Sequence, residues 1–241
     1  MRIALLLAVL LVPLGFALAQ DAPTPRAYGM RPLWAVPEQR APNRADPLAG
    51  RAVALGGELG AGWACVQCHG LYGAADGSGG FPRIAGLSAW YLYKQLMDYA
   101  SGARLNAVMT PIARAMTERE MLDVAAWYAS QGEAPFPPPP QVELPIRQLG
   151  GAIAAVGIPE RGVIACANCH GLEGLAPSIT IPALAGQYAP YVELQLLLWK
   201  RGERRNGPLG VMAAVAAGMT EAEIQAVALY YASLRPGVAP R

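Results

Sequence analysis

The sequence predicts an all-α protein that contains two tandem copies of one small domain. Apolar residues recur at helical spacing in both halves of the chain, and no segment shows the strict alternation of a half-buried β-strand. The second half repeats the first with a shift of about 100 residues, which indicates an internal duplication. With 54% hydrophobic and 15% charged residues, the composition is typical of a folded protein rather than a disordered chain or a coiled coil.

The first 19 residues have the layout of a secretory signal peptide. A positive start at Arg2 precedes an uncharged apolar stretch from Ile3 to Ala19, which ends in small residues. An uncleaved membrane anchor is the alternative, although a helix of this length covers about 25 Å and a hydrocarbon core about 30 Å. We therefore expect a periplasmic protein, with attachment to the membrane or to a membrane complex as the alternative.

Two proline-rich stretches predict the domain boundaries. Proline fixes φ and lacks an N–H group, so such stretches favour extended backbone over helices or central strands. We expect an N-terminal arm at 20–47, a first domain at 48–134, a linker at 135–147 and a second domain at 148–241. Domains this small and rich in glycine bury little apolar surface, so a bound group is expected to complete each core.

Each copy is predicted to contain three main helices. The first is weak, at 48–63 and 148–164, because glycines interrupt it. The central helix begins after Ser88 and ends near Gly102 in the first copy, and Pro190 stands in the first turn of its counterpart. The last helix of each copy begins with a capping box, which is formed by Thr117 with Glu120 and by Thr220 with Glu223.

All the cysteines and histidines of the chain fall in two copies of one pentapeptide. The copies are Cys65-Val66-Gln67-Cys68-His69 and Cys166-Ala167-Asn168-Cys169-His170. Because no Cys or His is left over, a separate disulfide framework, a histidine-based catalytic triad and a zinc site elsewhere are excluded. In the attachment motif of c-type haem, two thiols form thioethers to the porphyrin and the adjacent histidine ligates the iron. The sequence therefore predicts two covalently bound haem c groups.

Two other uses of this motif fit the sequence less well. A thioredoxin-like dithiol requires a βαβ setting, which the pattern lacks. Zinc requires four ligands, whereas each copy offers three at one place.

A second axial ligand for each iron has to be a methionine sulfur, since no histidine remains. The methionines shared by the two copies form two pairs, Met109 with Met212 and Met116 with Met219. The second pair directly precedes the capping threonines, which is typical of a hydrophobic staple. The first pair falls in predicted loops, where a side chain can point at a cofactor. We expect Met109 and Met212 to be the ligands, with the other pair as the alternative.

Polar residues near the end of each central helix are further candidates for contacts with haem. Arg104 and Arg204 could pair with haem propionates or lie solvated at a helix end. Gln95 and Gln195 could bridge the propionates, bridge the domains or be satisfied core amides.

The stretch from Leu48 to Ser233 resembles the dihaem cytochrome c4 family, in which two class I cytochrome c domains stand in tandem. The resemblance rests on the two Cys-x-x-Cys-His-Gly motifs, the Pro-x-Leu/Ile-Ala-Gly segments, Gly-x-Arg-x-Asn before each candidate Met and the terminal helices. It implies that each domain wraps a few short helices around one haem. It also implies that the carbonyls of Pro82 and Pro182 accept the second ring proton of the haem histidines.

Ligation by His and Met leaves no iron position open to a substrate, so the predicted function is outer-sphere electron transfer. We expect a respiratory donor, either a quinol-oxidising complex or a dehydrogenase, and an acceptor such as a terminal oxidase. The alternative is a haem redox enzyme, a peroxidase or a sulfur-compound dehydrogenase, in which one Met leaves the iron. A formal net charge of +2 gives no reason to expect a nucleic-acid partner.

Overall fold

The computed structural model describes residues 45–57 and 63–235. The predicted signal peptide at 1–19 and nearly all of the predicted arm at 20–47 lie outside this part of the chain. Within it, ten α-helices and two short 3₁₀ turns form the fold, and the only β-pairing consists of isolated bridges. The all-α prediction is therefore confirmed.

The helices of the first half recur in the same order in the second half. The first domain contains α1 (Pro47–Ala54), α2 (Val66–His69), α3 (Ala89–Ser101), α4 (Met109–Ala115) and α5 (Glu118–Ala129). The second domain contains α6 (Leu144–Val156), α7 (Ala167–His170), α8 (Ala189–Lys200), α9 (Val211–Ala217) and α10 (Glu221–Ser233). Each half has its own cluster of buried apolar side chains.

The first helix of each domain differs from its predicted bounds. Helix α1 begins after Asp46, whose carboxylate accepts the backbone N–H groups of Leu48 and Ala49, at 2.8 and 3.3 Å. Helix α6 begins within the predicted linker, because Pro145 fits the first turn, where a helix needs no N–H donor. The connection between the domains is therefore shorter than the 135–147 segment predicted from the proline content.

The predicted ends of the central and terminal helices agree with the structure. The Ser88 hydroxyl caps α3 by accepting the Tyr91 N–H at 3.0 Å, and Gly102 ends the helix with a left-handed φ of 86°. Both predicted capping boxes are present, at the start of α5 and of α10. Among the described residues no single helix is long and apolar enough to cross a membrane, although α9 with its preceding 3₁₀ turn and α10 pass that test together as a bent pair.

The first and last helices of each domain touch at a glycine. A Cβ atom on Gly50 would lie 1.9 Å from the backbone oxygen of Asp123, and one on Gly150 would lie 2.2 Å from that of Ala226. Both distances are far below van der Waals contact, so only glycine allows the helix backbones to approach this closely. This contact brings the start and the end of each domain together.

We expect Gly150→Ala to lower the free energy of unfolding by about 1–3 kcal/mol, because the added methyl group forces α6 away from α10. Chemical denaturation of the holoprotein measures the change. Gly151→Ala is the matched control in the same helix, since its Cβ would meet only the ring edge of Tyr230, at 3.1 Å. Alanine also favours a helix over glycine by up to about 1 kcal/mol, so the control should be neutral or stabilising. An equal loss of unfolding free energy in both variants would contradict this explanation of the contact between α6 and α10.

Candidate haem-binding sites

Each pentapeptide folds into a single helical turn, α2 or α7. Its first cysteine is the N-cap, and its histidine is the last residue before a glycine of positive φ. The turn therefore brings the two thiols and the imidazole of each copy together, as the motif predicts. None of the four cysteines forms a disulfide bond. No group of three or more His, Cys, Asp or Glu within the described ranges is arranged to hold a metal ion directly.

A proline carbonyl lies next to the inner ring nitrogen of each histidine. The distance from His69 Nδ1 to the Pro82 oxygen is 3.1 Å, and that from His170 Nδ1 to the Pro182 oxygen is 2.8 Å. A carbonyl can only accept, so Nδ1 carries the proton in both rings. The outer nitrogen, Nε2, is then left with a lone pair that can bind a metal.

Burial favours the uncharged form of the histidine and of the first cysteine in each turn. Loss of solvent lowers the pKa of His69 and of His170, which favours the neutral imidazole that binds iron. Loss of solvent also raises the pKa of the Cys65 thiol to about 11 and raises that of Cys166. The surroundings of the histidine and of the first cysteine are therefore of low polarity in both sites.

The favoured methionines occupy the first turn of a short helix and not a loop, so that detail of the prediction was wrong. Met109 is the first residue of α4, because the Asn106 carboxamide oxygen accepts the N–H groups of Val108 and Met109, both at 2.9 Å. Met212 is the second residue of α9, which follows the 3₁₀ turn Pro208–Gly210. Both side chains are half-buried against the core of their own domain.

The alternative pair of methionines fills the two cores. Met116 and Met219 are 1% and 2% exposed, and each directly precedes the threonine of a capping box. This is the position of a hydrophobic staple, as the sequence indicated. A sulfur that must reach a separate group has more room at Met109 and Met212.

A buried polar network joins the two domains at the ends of α3 and α8. Arg104 and Arg204 form an isolated antiparallel bridge, and each is only 5% exposed. Both guanidinium groups donate to Gln195 Oε1 at 2.7 Å, and both also donate to Gln95 Oε1, at 2.8 and 3.3 Å. The idea that these arginines are solvated at helix ends is therefore wrong, and the two glutamines bridge the domains.

Comparison with known proteins identifies the family. No protein-family model matches the sequence. The chain is 37% identical to a cytochrome c4 of Thiocapsa roseopersicina, over 80% of this chain and 95% of that protein. The chain belongs to the cytochrome c4 family. It is also 40% identical to a protein of Stutzerimonas stutzeri named thiosulfate dehydrogenase electron acceptor, over 74% of this chain and 82% of that protein.

Solved structures share the cytochrome c4 fold. Reduced cytochrome c4 from Pseudomonas stutzeri matches with a TM-score of 0.68 and 26% identity, over 79% of this chain and all of that chain. A thiosulfate dehydrogenase from Marichromatium purpuratum matches with the same TM-score and 34% identity, over 81% of this chain but 42% of that chain. As a cytochrome c4 the protein carries two covalently bound haem c groups, and it is an electron carrier and not an enzyme.

The charges of the interdomain network fit the carboxylates that haem brings. Among the described residues neither Arg104 nor Arg204 forms an ion pair, and the nearby Asp98 is paired with Lys94. A buried cation needs an anionic partner, and a propionate from each haem would supply one per domain. Trp199 offers a further donor, since its indole N–H is buried without a partner there and its ring stacks under the Arg204 guanidinium, 3.8 Å away.

Sequence reasoning singled out both arginines but missed Trp199. The repeat could have indicated Trp199, because this residue corresponds to Tyr99 of the first domain. Both residues carry an arginine over their ring, with Arg104 4.6 Å from the Tyr99 centroid. An aromatic residue with a polar atom therefore recurs beside the network in both domains.

We expect Arg204→Gln to lower the reduction potential of the haem in the second domain, because a buried positive charge favours ferrous over ferric haem. A potentiometric titration followed by the ferrous absorption band measures the shift. Arg201→Gln is the control. Arg201 is the C-cap of α8 and precedes Arg204 closely in sequence, but it is exposed and its charge is screened by solvent. The fit between the network and the propionates is contradicted if both variants shift the potential equally.

Proposed function

We propose that this cytochrome c4 accepts electrons from a thiosulfate dehydrogenase in the periplasm and delivers them to a respiratory acceptor such as a terminal oxidase. The observation that carries the proposal is the similarity to a protein named as the electron acceptor of that enzyme, at an identity above that of the cytochrome c4 relative. A second relative with the same name, from Thiomonas intermedia, supports it. The signal-like segment at 1–19 supports export.

The proposal assigns the same ligands to both haems. In each domain two thioethers would hold the porphyrin, through Cys65 and Cys68 or through Cys166 and Cys169. The axial pairs would be His69 with Met109 and His170 with Met212. The proton on Nδ1 and the proline carbonyl support the histidines, and the half-buried start of α4 and of α9 supports these methionines.

This ligand set accounts for electron transfer without further chemistry. When bound, haem with His and Met ligands supplies a one-electron couple and no open iron position. The carbonyls of Pro82 and Pro182 fix the orientation of the imidazoles, and both imidazoles are buried. Two one-electron haems in one chain allow it to hold two electrons at a time. Such donors and acceptors usually meet through small, transient contacts.

Met109→Ala and Met212→Ala are each expected to convert one of the two haems to the high-spin form and to lower its potential, because the iron loses its sulfur ligand. Visible and paramagnetic resonance spectra of the holoprotein measure the change. Met116→Leu and Met219→Leu are the matched controls, since leucine preserves core volume without a sulfur. High-spin haem in the controls, with unchanged spectra in the alanine variants, would transfer the ligand role to the other pair.

Electron delivery is tested with the oxidised holoprotein. Thiosulfate together with a thiosulfate dehydrogenase is expected to reduce both haems, at two electrons per chain, whereas thiosulfate alone should leave them oxidised. The rise of the ferrous absorption band measures both reactions. Reduction by thiosulfate alone would contradict the carrier role. Failure with the dehydrogenase, combined with reduction by a quinol-oxidising complex, would contradict the proposed donor.

A further inference from the structure

A side chain of the second domain holds the backbone of the first domain beside its haem turn. Gln187 makes two hydrogen bonds to Arg83: its Oε1 accepts the Arg83 N–H at 2.8 Å, and its Nε2 donates to the Arg83 carbonyl at 2.7 Å. Both residues are only 7% exposed. The N–H of Tyr188 also donates to Gln187 Oε1, at 3.1 Å, which fixes the direction of the carboxamide. This contact is therefore shielded from water and well oriented.

The peptide group that Gln187 contacts is the one that contacts His69. The Pro82 carbonyl and the Arg83 N–H belong to one planar amide unit, so a group bound to one end affects the other. The Pro82 oxygen lies 3.1 Å from His69 Nδ1. A continuous line of hydrogen bonds thus runs from the imidazole of the first domain, through one peptide, to a side chain of the second domain. Linked hydrogen bonds of this kind polarise one another.

We infer that Gln187 is a positioning residue for the haem of the first domain, and that it acts through the Pro82–Arg83 peptide. The inference rests on the proposed role of His69 as an axial ligand. An acceptor on the Arg83 N–H makes the Pro82 carbonyl oxygen more negative, which draws the Nδ1 proton and makes the imidazole a stronger donor to iron. A stronger donor favours ferric iron, so Gln187 lowers the potential of this haem.

The peptide that follows Pro182 in the second domain has no equivalent contact from the first domain. Leu87 stands where Gln187 stands, and it has no polar atom that could accept a hydrogen bond. Ala183 stands where Arg83 stands. Leu87 therefore cannot accept a hydrogen bond from the Ala183 N–H in the way that Gln187 accepts one from the Arg83 N–H. The docking of the two domains acts by this route on one haem only.

The connection between the domains keeps Gln187 in place. The Arg83 guanidinium donates to the carbonyl of Ala134 at 2.8 Å and lies 4.0 Å from the Phe136 ring centroid. A Cβ atom on Gly186 would come within 2.3 Å of that ring, so a glycine is needed directly before Gln187. Phe136 is thus enclosed by a residue from each domain, and the enclosure fixes the loop that carries the carboxamide.

The test replaces Gln187 with the residue of the first domain. Gln187→Leu is expected to raise the potential of the first haem and to leave that of the second haem unchanged, with both haems low-spin. Redox titration measures the potentials, and the Met109 and Met212 variants tell the two haems apart. In the reduced protein, the proton resonance of His69 Nδ1–H should move upfield, because its hydrogen bond weakens.

Two further variants separate this role from general damage to the interface. Gln187→Glu keeps an acceptor oxygen for the Arg83 N–H, so it should retain or lower the potential of the first haem. Tyr188→Phe removes a neighbouring contact between the domains, from the Tyr188 hydroxyl to the Ala74 carbonyl at 3.0 Å. It should leave the His69 resonance unchanged. A rise in potential for all three variants, or none for Gln187→Leu, would overturn the inference.

Failure of this inference and failure of the proposed ligand set give different results. If Gln187→Leu yields no folded holoprotein, Gln187→Met tests the same point, because methionine has a similar shape and only a weak acceptor. If the potential of the first haem is unchanged in a Gln187 variant that has two low-spin His/Met haems, the role of Gln187 is contradicted and the ligand assignment stands. If the spin states are unchanged in the Met109 and Met212 variants, the assignment of these methionines as ligands is contradicted.

Discussion

The position of the haem histidine is the constraint on which each domain depends. In the first domain the imidazole follows the two cysteines on one helical turn and meets the Pro82 carbonyl with its inner nitrogen. The last helix is fixed to the same turn, because the Tyr128 hydroxyl donates to the Gly70 carbonyl at 3.3 Å and the Tyr128 carbonyl accepts the Gly86 N–H at 2.9 Å. Helix α5, the proline segment and the haem turn therefore form one unit.

The interface between the domains is polar where most buried surfaces are apolar. Two guanidinium groups, two carboxamides and the Lys94–Asp98 pair lie between α3 and α8, which in isolation would cost free energy. Haem carboxylates would change that balance, since they carry the opposite charge to the two guanidinium groups. Within the network, an arginine of each domain donates to a glutamine of the other domain.

Local patterns were predicted well because they depend on neighbours in sequence. Capping boxes, the limits of α3 and the paired pentapeptides all follow from residues a few positions apart. The start of α6 and the helical setting of Met109 were missed, because a proline or an asparagine can end a loop or begin a helix. The contact of Gln187 with Arg83 crosses the two domains, so no spacing could reveal it. Its one signal was the departure from the repeat at Leu87.

The duplication gives two haems the same proposed ligands but different surroundings. At three positions that differ between the copies, one member of the pair lies at or near the contact between the domains. These members are Arg83 (Ala183 in the other copy), Gln187 (Leu87) and Trp199 (Tyr99). Because ligand identity sets the potential coarsely and neighbouring hydrogen bonds and charges adjust it, these positions are where the two potentials can diverge. The difference between the haems is then a property of the joined chain and not of either domain alone. A carrier built in this way adjusts its two couples by changing how its halves meet, without altering either iron site.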